Sequence, residues 1–535
     1  MKSNTAKNII CFILIVLLSI CGILSVHFLN LKHGTGASPD SVAYIAAARN
    51  IISGNGAAVL YNDDKTEQLN LWLPMHDNEE YHILPWPPFY PIILSIPLAL
   101  NIDLYIFTLW MNSILFGLFI LLVALFLKKQ TGSFILSLLL CLTFIFSKEL
   151  LHIYSFVWSE PIFFITGFAG LYFLIVFLKT EKLRDILLSS IFVSISFITR
   201  TAGFAFVAVG IIILLFFSRI RIIKRIINSI IFLAISIIPM LIWLLKTKSI
   251  GGKSTVEIIV HFPLKADFRE MFDTFSAWIF SGRVPSDIRA VGFLALMLIF
   301  IILFIFIIIK YKKHPVLIQN SFNIKIIYIL SIFNVLYIFI IISAKTLFDA
   351  NVPIGTDRIL APAAISTVII VFLFFSIVIK IFSSLKTPKI IIFSSLTILI
   401  ILSIFACFYG TLTRSIYYNG QGYLSNDWKN SETIAVIKQY PESTKIYTNE
   451  PCAVYFRADK NPTMLPSKYN IYTKRINENY EKQIEKMLIE IKQNNGLLAF
   501  FDLGWGYLAN EKEFLLKYNL NLIKDTYDGA LYEIP

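Results

Sequence analysis

From Asn8 to Leu29 the chain contains no Asp, Glu, Lys or Arg, and apolar residues fill almost every position. A helix that crosses a bilayer needs about 20 such residues, so this run alone directs the chain into a membrane. Lys2 and Lys7 precede it and no small-residue cleavage site follows, which reads as an uncleaved signal anchor. Ten further apolar stretches follow: Leu104–Leu127, Phe134–Phe146, Pro161–Leu178, Ile186–Ile198, Gly203–Phe217, Ile226–Leu245, Val291–Ile309, Ile326–Ser343, Ile359–Ile379 and Ile390–Phe408. Pro88–Leu100 is apolar but short and proline-rich, and reads as interfacial or re-entrant.

Charge placement orients the spans. With eleven of them, the cytoplasmic loops collect 18 Lys and Arg against only Glu181 and Asp185, as the positive-inside rule requires. Letting Pro88–Leu100 span would turn Lys128 and every later cluster outward. The expected fold is therefore mainly α: a polytopic membrane helix bundle of about 11 spans, N-terminus in and C-terminus out. Composition agrees, at 57% hydrophobic and 15% charged, where a soluble domain carries about 25% charged residues. That excludes a soluble protein, a disordered chain and a nucleic-acid binder, despite the net charge of +13.

Residues 1–410 form the expected transmembrane domain, with long outer loops at 30–87 and 246–289. Beyond 411 the composition turns polar, and helical patterns (Trp428–Gln439, Tyr472–Asn494) alternate with strand-like runs (Lys445–Thr448, Leu497–Phe501, Leu522–Lys524, Ala530–Glu533). Residues 411–535 thus read as a small extracytoplasmic α/β domain. Four cysteines lie in apolar runs and only Cys452 in a polar one, which supports neither a disulfide framework nor a metal site.

The first outer loop is the most informative segment. In Ser38–Gly56, SPDSVAYIAAARNIISGNG, Ser38 suits an N-cap, Pro39 the first helical position, and Gly54-Asn55-Gly56 a stop. Asp40 and Tyr44 then share a face of a short juxtamembrane helix. An ionised Asp40 just outside the membrane can take a proton from a hydroxyl nucleophile, or simply stabilise the first helical turn. Leu84–Pro91, LPWPPFYP, is a rigid aromatic segment suited to the interface.

An Asp after the first span, a Tyr four later, a small-residue helix ending in Gly-x-Gly, and Pro-Pro-Phe-Tyr-Pro before the second span resemble the GT-C glycosyltransferases. The likeness is greatest to bacterial relatives of protein O-mannosyltransferases and of the lipid A aminoarabinose transferase. It runs through about the first 200 residues by motif and the rest by topology. It implies a polyprenyl-phosphate sugar donor used on the outer face of a bacterial plasma membrane. The acceptor would be a glycolipid, a polysaccharide or a protein. Asp40 would act as general base on an acceptor hydroxyl, with inversion at the anomeric carbon. Members often carry Asp-Glu or Asp-Asp there; this chain has Asp40-Ser41.

Polar residues at span ends complete the candidate site. Glu160, in Ser159-Glu160-Pro161, matches an acidic residue that the resembling proteins often hold near the donor or a metal; it also suits a helix start. Tyr44, Arg200, Lys345 and Arg358 are candidate substrate-binding residues. A departing polyprenyl phosphate needs cations at the outer interface, although arginines also snorkel at span ends. The cofactor is open: the resemblance allows a divalent metal ion on Asp40 and Glu160. His82 and His261 have no partner spacing to make them ligands. Tyr447–Pro451 in the tail is a candidate acceptor contact or part of a stabilising lid. The alternative function is a multi-pass transporter or lipid-linked sugar flippase, which predicts mid-span charges and two related halves.

Overall fold

The computed structural model describes residues 2–54, 56–60, 81–83, 86–249, 260, 262–280, 284–310, 315–347, 354–384, 411–469, 476–503, 506–509 and 511–535. The first part is helical: α1 (Lys2–Asn30), α2 (Pro39–Ile52), α3 (Phe89–Ala99), α4 (Leu104–Thr131), α5 (Phe134–Ile145), α6 (Lys148–Tyr154), α7 (Glu160–Thr180), α8 (Leu183–Thr199) and α9 (Phe204–Ile212). It continues through α10 (Ile222–Ser249), α11 (Lys265–Ala277), α12 (Ser286–Lys310), α13 (Pro315–Gln319), α14 (Ser321–Leu347) and α15 (Asp357–Ser384). A two-stranded hairpin, β1 (Ala58–Leu60) with β2 (Tyr81–Ile83), lies between α2 and α3.

Among the described residues, seven helices are long and apolar enough to cross a membrane: α1, α4, α7, α10, α12, α14 and α15. α7 and α15 bury 72% and 67% of their most apolar windows, whereas α12 buries 11% and α10 22%, so the former are the heart of the bundle and the latter its rim. Close approach depends on small residues. A Cβ on Gly117 of α4 would stand 2.4 Å from Ile23 Cγ1 of α1, and one on Gly167 of α7 would stand 2.3 Å from the Phe206 ring of α9.

Several expected spans take a different form. Phe134–Phe146 is one arm of a pair bent by 60°, whose other arm, α6, carries Glu149 and His152. Ser147 breaks the pair by capping α6, accepting from the Leu150 N–H at 3.3 Å. The Gly203–Phe217 stretch is a 3-10 turn, an α-helix and a closing π turn in succession. Pro88–Leu100 becomes the eleven-residue α3, too short to span by itself. The expected Ile390–Phe408 span lies outside the described residues, as does His261; His82 lies in β2.

The tail contains α16 (Thr411–Asn419), α17 (Asn426–Lys429), α18 (Glu432–Ile437), β3 (Ile446–Thr448), α19 (Pro451–Ala458), β4 (Pro462–Met464), α20 (Tyr480–Gln493), β5 (Leu497–Phe501), α21 (Glu511–Lys517), β6 (Asn521–Thr526) and β7 (Gly529–Glu533). The sheet order is β4-β3-β5-β7-β6, with β3 parallel to β4 and β5 and the remaining pairs antiparallel. β3 and β5 are buried throughout because helices cover both faces. Leu498 and Phe500 pack with Ile484 and Met487 of α20, while Leu497, Ala499 and Phe501 pack with Ile434 and Val454 from α18 and α19.

Two elements depart from the expected pattern. β4 is an edge strand opening with Pro462, which lacks a strand-like run, and α19 is an eight-residue helix with Pro451 in its first turn. The expected Trp428–Gln439 helix is divided at Ser431, whose hydroxyl caps α18. The Tyr472–Asn494 helix begins at Tyr480.

Candidate active site

The site is built on the segment that leads into α2. Gly36 N–H donates to Ser155 O at 2.7 Å, Val157 N–H to Gly36 O at 2.9 Å, and Tyr423 N–H to Ala37 O at 2.8 Å. Residues 36–37 are thus held between the α6–α7 connection on one side and the tail on the other. Gly422 adopts φ +55° to allow this, and a Cβ there would stand 2.0 Å from Ala37 O. The expected start of α2 is present: Ser38 and Ser41 form a reciprocal capping box, with Pro39 at the first position and Asp40 in the first turn. Ser41 closes this cap.

Asp40 points at the start of α15. Arg358 Nη1 lies 2.5 Å from Asp40 Oδ2, and Arg358 Nε lies 3.9 Å from Glu160 Oε1. Arg200 Nη1 approaches the same Glu160 oxygen at 2.9 Å and donates to Ser159 Oγ at 3.0 Å. Two carboxylates and two guanidiniums from four separate segments therefore balance to zero charge in one cluster. Its groups are strongly enclosed, with Glu160 1% exposed. Charges in such a setting persist only when paired.

Aromatic groups hold the cluster in shape. The Trp158 ring carries the Arg358 guanidinium at 4.8 Å, stacks on Phe156 at 4.2 Å, and donates its N–H to Ser38 Oγ at 2.8 Å. Tyr44 Oη is 3.2 Å from Ser159 Oγ, and burial pushes its phenol up to about 12. Tyr44 also meets Trp86 at 5.1 Å and Tyr90 edge-on at 5.0 Å, so these two residues wall this side. Tyr337 of α14 donates to Ile359 O at 2.8 Å, tying α14 to the first turn of α15. Beside Arg358, Asp357 pairs with His152 of α6 at 3.4 Å.

Five of the six expected site residues (Asp40, Tyr44, Glu160, Arg200 and Arg358) therefore meet. Lys345 belongs to a different pair: its Nζ lies 3.7 Å from Asp267 Oδ1 on α11. There it helps hold α11, which Arg289 also anchors through Asp273 at 2.5 Å. Trp158, Ser159, Tyr337 and Tyr423 are site residues that the sequence did not single out, although Trp158 and Ser159 directly precede Glu160.

The tail reaches the same place. Tyr423 donates to Glu450 Oε2 at 3.3 Å. Beside it, burial first and then the charges of Glu450 and Asp40 raise the Cys452 thiol. Asn449, from the expected Tyr447–Pro451 contact segment, is engaged within the sheet: its amide donates to Phe501 O at 2.7 Å and its oxygen accepts from the Phe501 N–H at 2.8 Å. Each carboxylate of the cluster faces a guanidinium, and the described residues hold no group of three or more His, Cys, Asp or Glu that could bind a metal ion. This donor set does not fit the divalent ion that the resemblance allowed.

No family model matches the chain, and no curated protein matches it. Among solved structures the chain is similar to apo ArnT from Cupriavidus metallidurans, with 10% identity over 97% of both chains and a TM-score of 0.47. The same protein bound to undecaprenyl phosphate gives the same values. The chain is also similar to the archaeal oligosaccharyltransferase AglB from Archaeoglobus fulgidus in complex with an inhibitory peptide and a dolichol-phosphate. There the identity is 12%, over 93% of this chain and 70% of that one, with a TM-score of 0.47.

Proposed function

We infer that this protein transfers a sugar from a polyprenyl-phosphate donor to an acceptor hydroxyl at the membrane face that carries Asp40. The observation that carries this reading is the enclosed cluster of Asp40, Glu160, Arg200 and Arg358, which brings two carboxylates and two guanidiniums together at helix ends. Guanidinium groups suit a phosphate through their paired donors. Without a donor, Arg358 pairs with Asp40 and occupies its Oδ2.

Donor binding would draw Arg358 toward the phosphate and free Asp40 Oδ2. Asp40 then removes the proton of the acceptor hydroxyl, whose oxygen attacks the anomeric carbon opposite the phosphate. The new C–O bond forms as the old one breaks, its electron pair leaves with the polyprenyl phosphate, and the anomeric configuration inverts. Arg200 and Arg358 stabilise the charge that develops on the leaving group. Glu160 keeps both guanidiniums in place, and the tail closes the acceptor side through Tyr423 and Glu450.

The test compares envelope glycans and glycolipids by mass spectrometry in three bacterial strains: wild type, deletion, and deletion complemented with Asp40→Asn at matched membrane abundance. Loss of the same sugar-sized mass in the deletion and in Asp40→Asn is the expected result. A mass lost on deletion and fully restored by Asp40→Asn removes Asp40 as the base and favours transport.

A further inference from the structure

Tyr90 beside the charged cluster and Glu160 within it have hydrogen-bonding capacity that the mechanism above leaves unused. Tyr90 is fully buried, and its hydroxyl finds no hydrogen-bond partner among the described residues. Glu160 is equally enclosed; Arg200 and Arg358 balance its charge, yet neither carboxylate oxygen accepts an aligned hydrogen bond there. Leaving such groups unsatisfied is costly, and native proteins keep few of them.

The two groups share one neighbourhood. The Tyr90 ring meets Tyr44 at 5.0 Å, and Tyr44 Oη reaches Ser159, the residue before Glu160, at 3.2 Å. Burial raises the Tyr90 phenol well above its ordinary value, and the charges of Tyr44 and Glu160 add to the effect. Trp86, 5.1 Å from Tyr44, extends the aromatic wall.

We propose that Tyr90 and Glu160 together bind a hydroxyl of the transferred sugar, so that the group presented to them is neutral. This rests on the sugar-transfer reading. A hydroxyl accepts from the Tyr90 O–H and donates to the Glu160 carboxylate, and so completes both. An ammonium has no lone pair for the Tyr90 proton, and the cluster is already neutral without another cation. A carboxylate would accept from Tyr90 but face Glu160 with like charge. The rings of Tyr44, Trp86 and Tyr90 supply apolar surface next to this polar pair, matching a sugar ring with an apolar C–H face and a hydroxylated edge.

The test uses the full-length protein in nanodiscs, titrated calorimetrically with farnesyl phosphate and with its glucosyl, galactosyl and mannosyl esters. At least one sugar ester should bind wild type about tenfold more tightly than farnesyl phosphate. Tyr90→Phe should abolish that gain, bind farnesyl phosphate like wild type, and melt no lower than wild type without ligand, since it deletes an unsatisfied hydroxyl. A retained gain in Tyr90→Phe overturns the proposal. A ligand-free variant that melts several degrees lower also overturns it, because the hydroxyl would then already be satisfied. Binding of farnesyl phosphate with no gain from any sugar overturns the hydroxyl contact alone, whereas no binding of farnesyl phosphate to wild type overturns the transfer reading and that contact with it.

Discussion

Arg358 Nη1 stands 2.5 Å from Asp40 Oδ2, joining the first turn of a membrane-spanning helix to the short helix that follows the first span. The contact is enclosed on both sides, the two side chains being 16% and 12% exposed, and Trp158 covers the guanidinium face. Loss of one partner therefore strands the other charge in a poor environment.

Arg358→Gln is expected to destabilise the protein by about 3 kcal/mol, since an uncompensated enclosed carboxylate remains. Adding Asp40→Asn to it should cost less than the sum of the two single changes. Melting temperatures of the four forms complete the cycle, and strict additivity would count against the pair.

Ser159 receives the Arg200 N–H at 3.0 Å and lies 3.2 Å from the Tyr44 hydroxyl. Ser159→Ala should cost about 1–2 kcal/mol of stability and reduce transfer more than that loss explains, because both neighbours lose an anchor. A transfer assay at matched folded protein, run beside thermal melts, separates the two effects.

Gly422→Ala tests how the tail docks. With φ at +55° and a Cβ 2.0 Å from Ala37 O, the backbone must shift, and the tail should separate from the residue 36–37 segment. Cys452 reports this, because burial raises its thiol and keeps thiolate scarce in the docked form. Faster N-ethylmaleimide labelling of Cys452 in the variant, read by peptide mass spectrometry, is the expected outcome; unchanged labelling would show that the tail docks by other contacts.

His33 lies between the first span and α2, with Nε2 3.0 Å from Tyr418 O and Nδ1 3.5 Å from Lys429 Nζ. Burial, and then the Lys429 charge, lowers its pKa below the ordinary 6.5. The unfolded chain therefore binds the proton more readily than the folded one. The stabilising contribution is full above pH 6.5 and is lost as pH falls through the lowered value. Wild type should lose more melting temperature than His33→Gln between pH 8 and pH 5, and parallel curves would exclude the effect.

Much of the bundle was legible because a span is a local property. Leu104–Leu127, Ile326–Ser343 and Ile359–Ile379 fall within α4, α14 and α15, since each long apolar run satisfies its own backbone as a helix. The α2 start was equally legible, because Ser38, Pro39 and Asp40 act within one turn. The bend between α5 and α6 was not, because Ser147-Lys148-Glu149 after Phe146 reads as the end of a span, and the direction α6 then takes depends on what it packs against. β4 stayed hidden for a related reason: an edge strand opening with proline is specified by its neighbour β3 rather than by its own pattern.

By itself, the sequence determined a helical membrane bundle, a polar α/β tail and a short list of charged residues near span ends. Hydropathy over about 20 residues and capping within a turn need no distant partner. Only the tertiary structure decided that Asp40 pairs with Arg358, that Glu160 lies near both arginines, and that Lys345 turns instead to Asp267. Those choices follow from the packing of separate helices, where enclosed charges must find opposite charges whatever their separation along the chain.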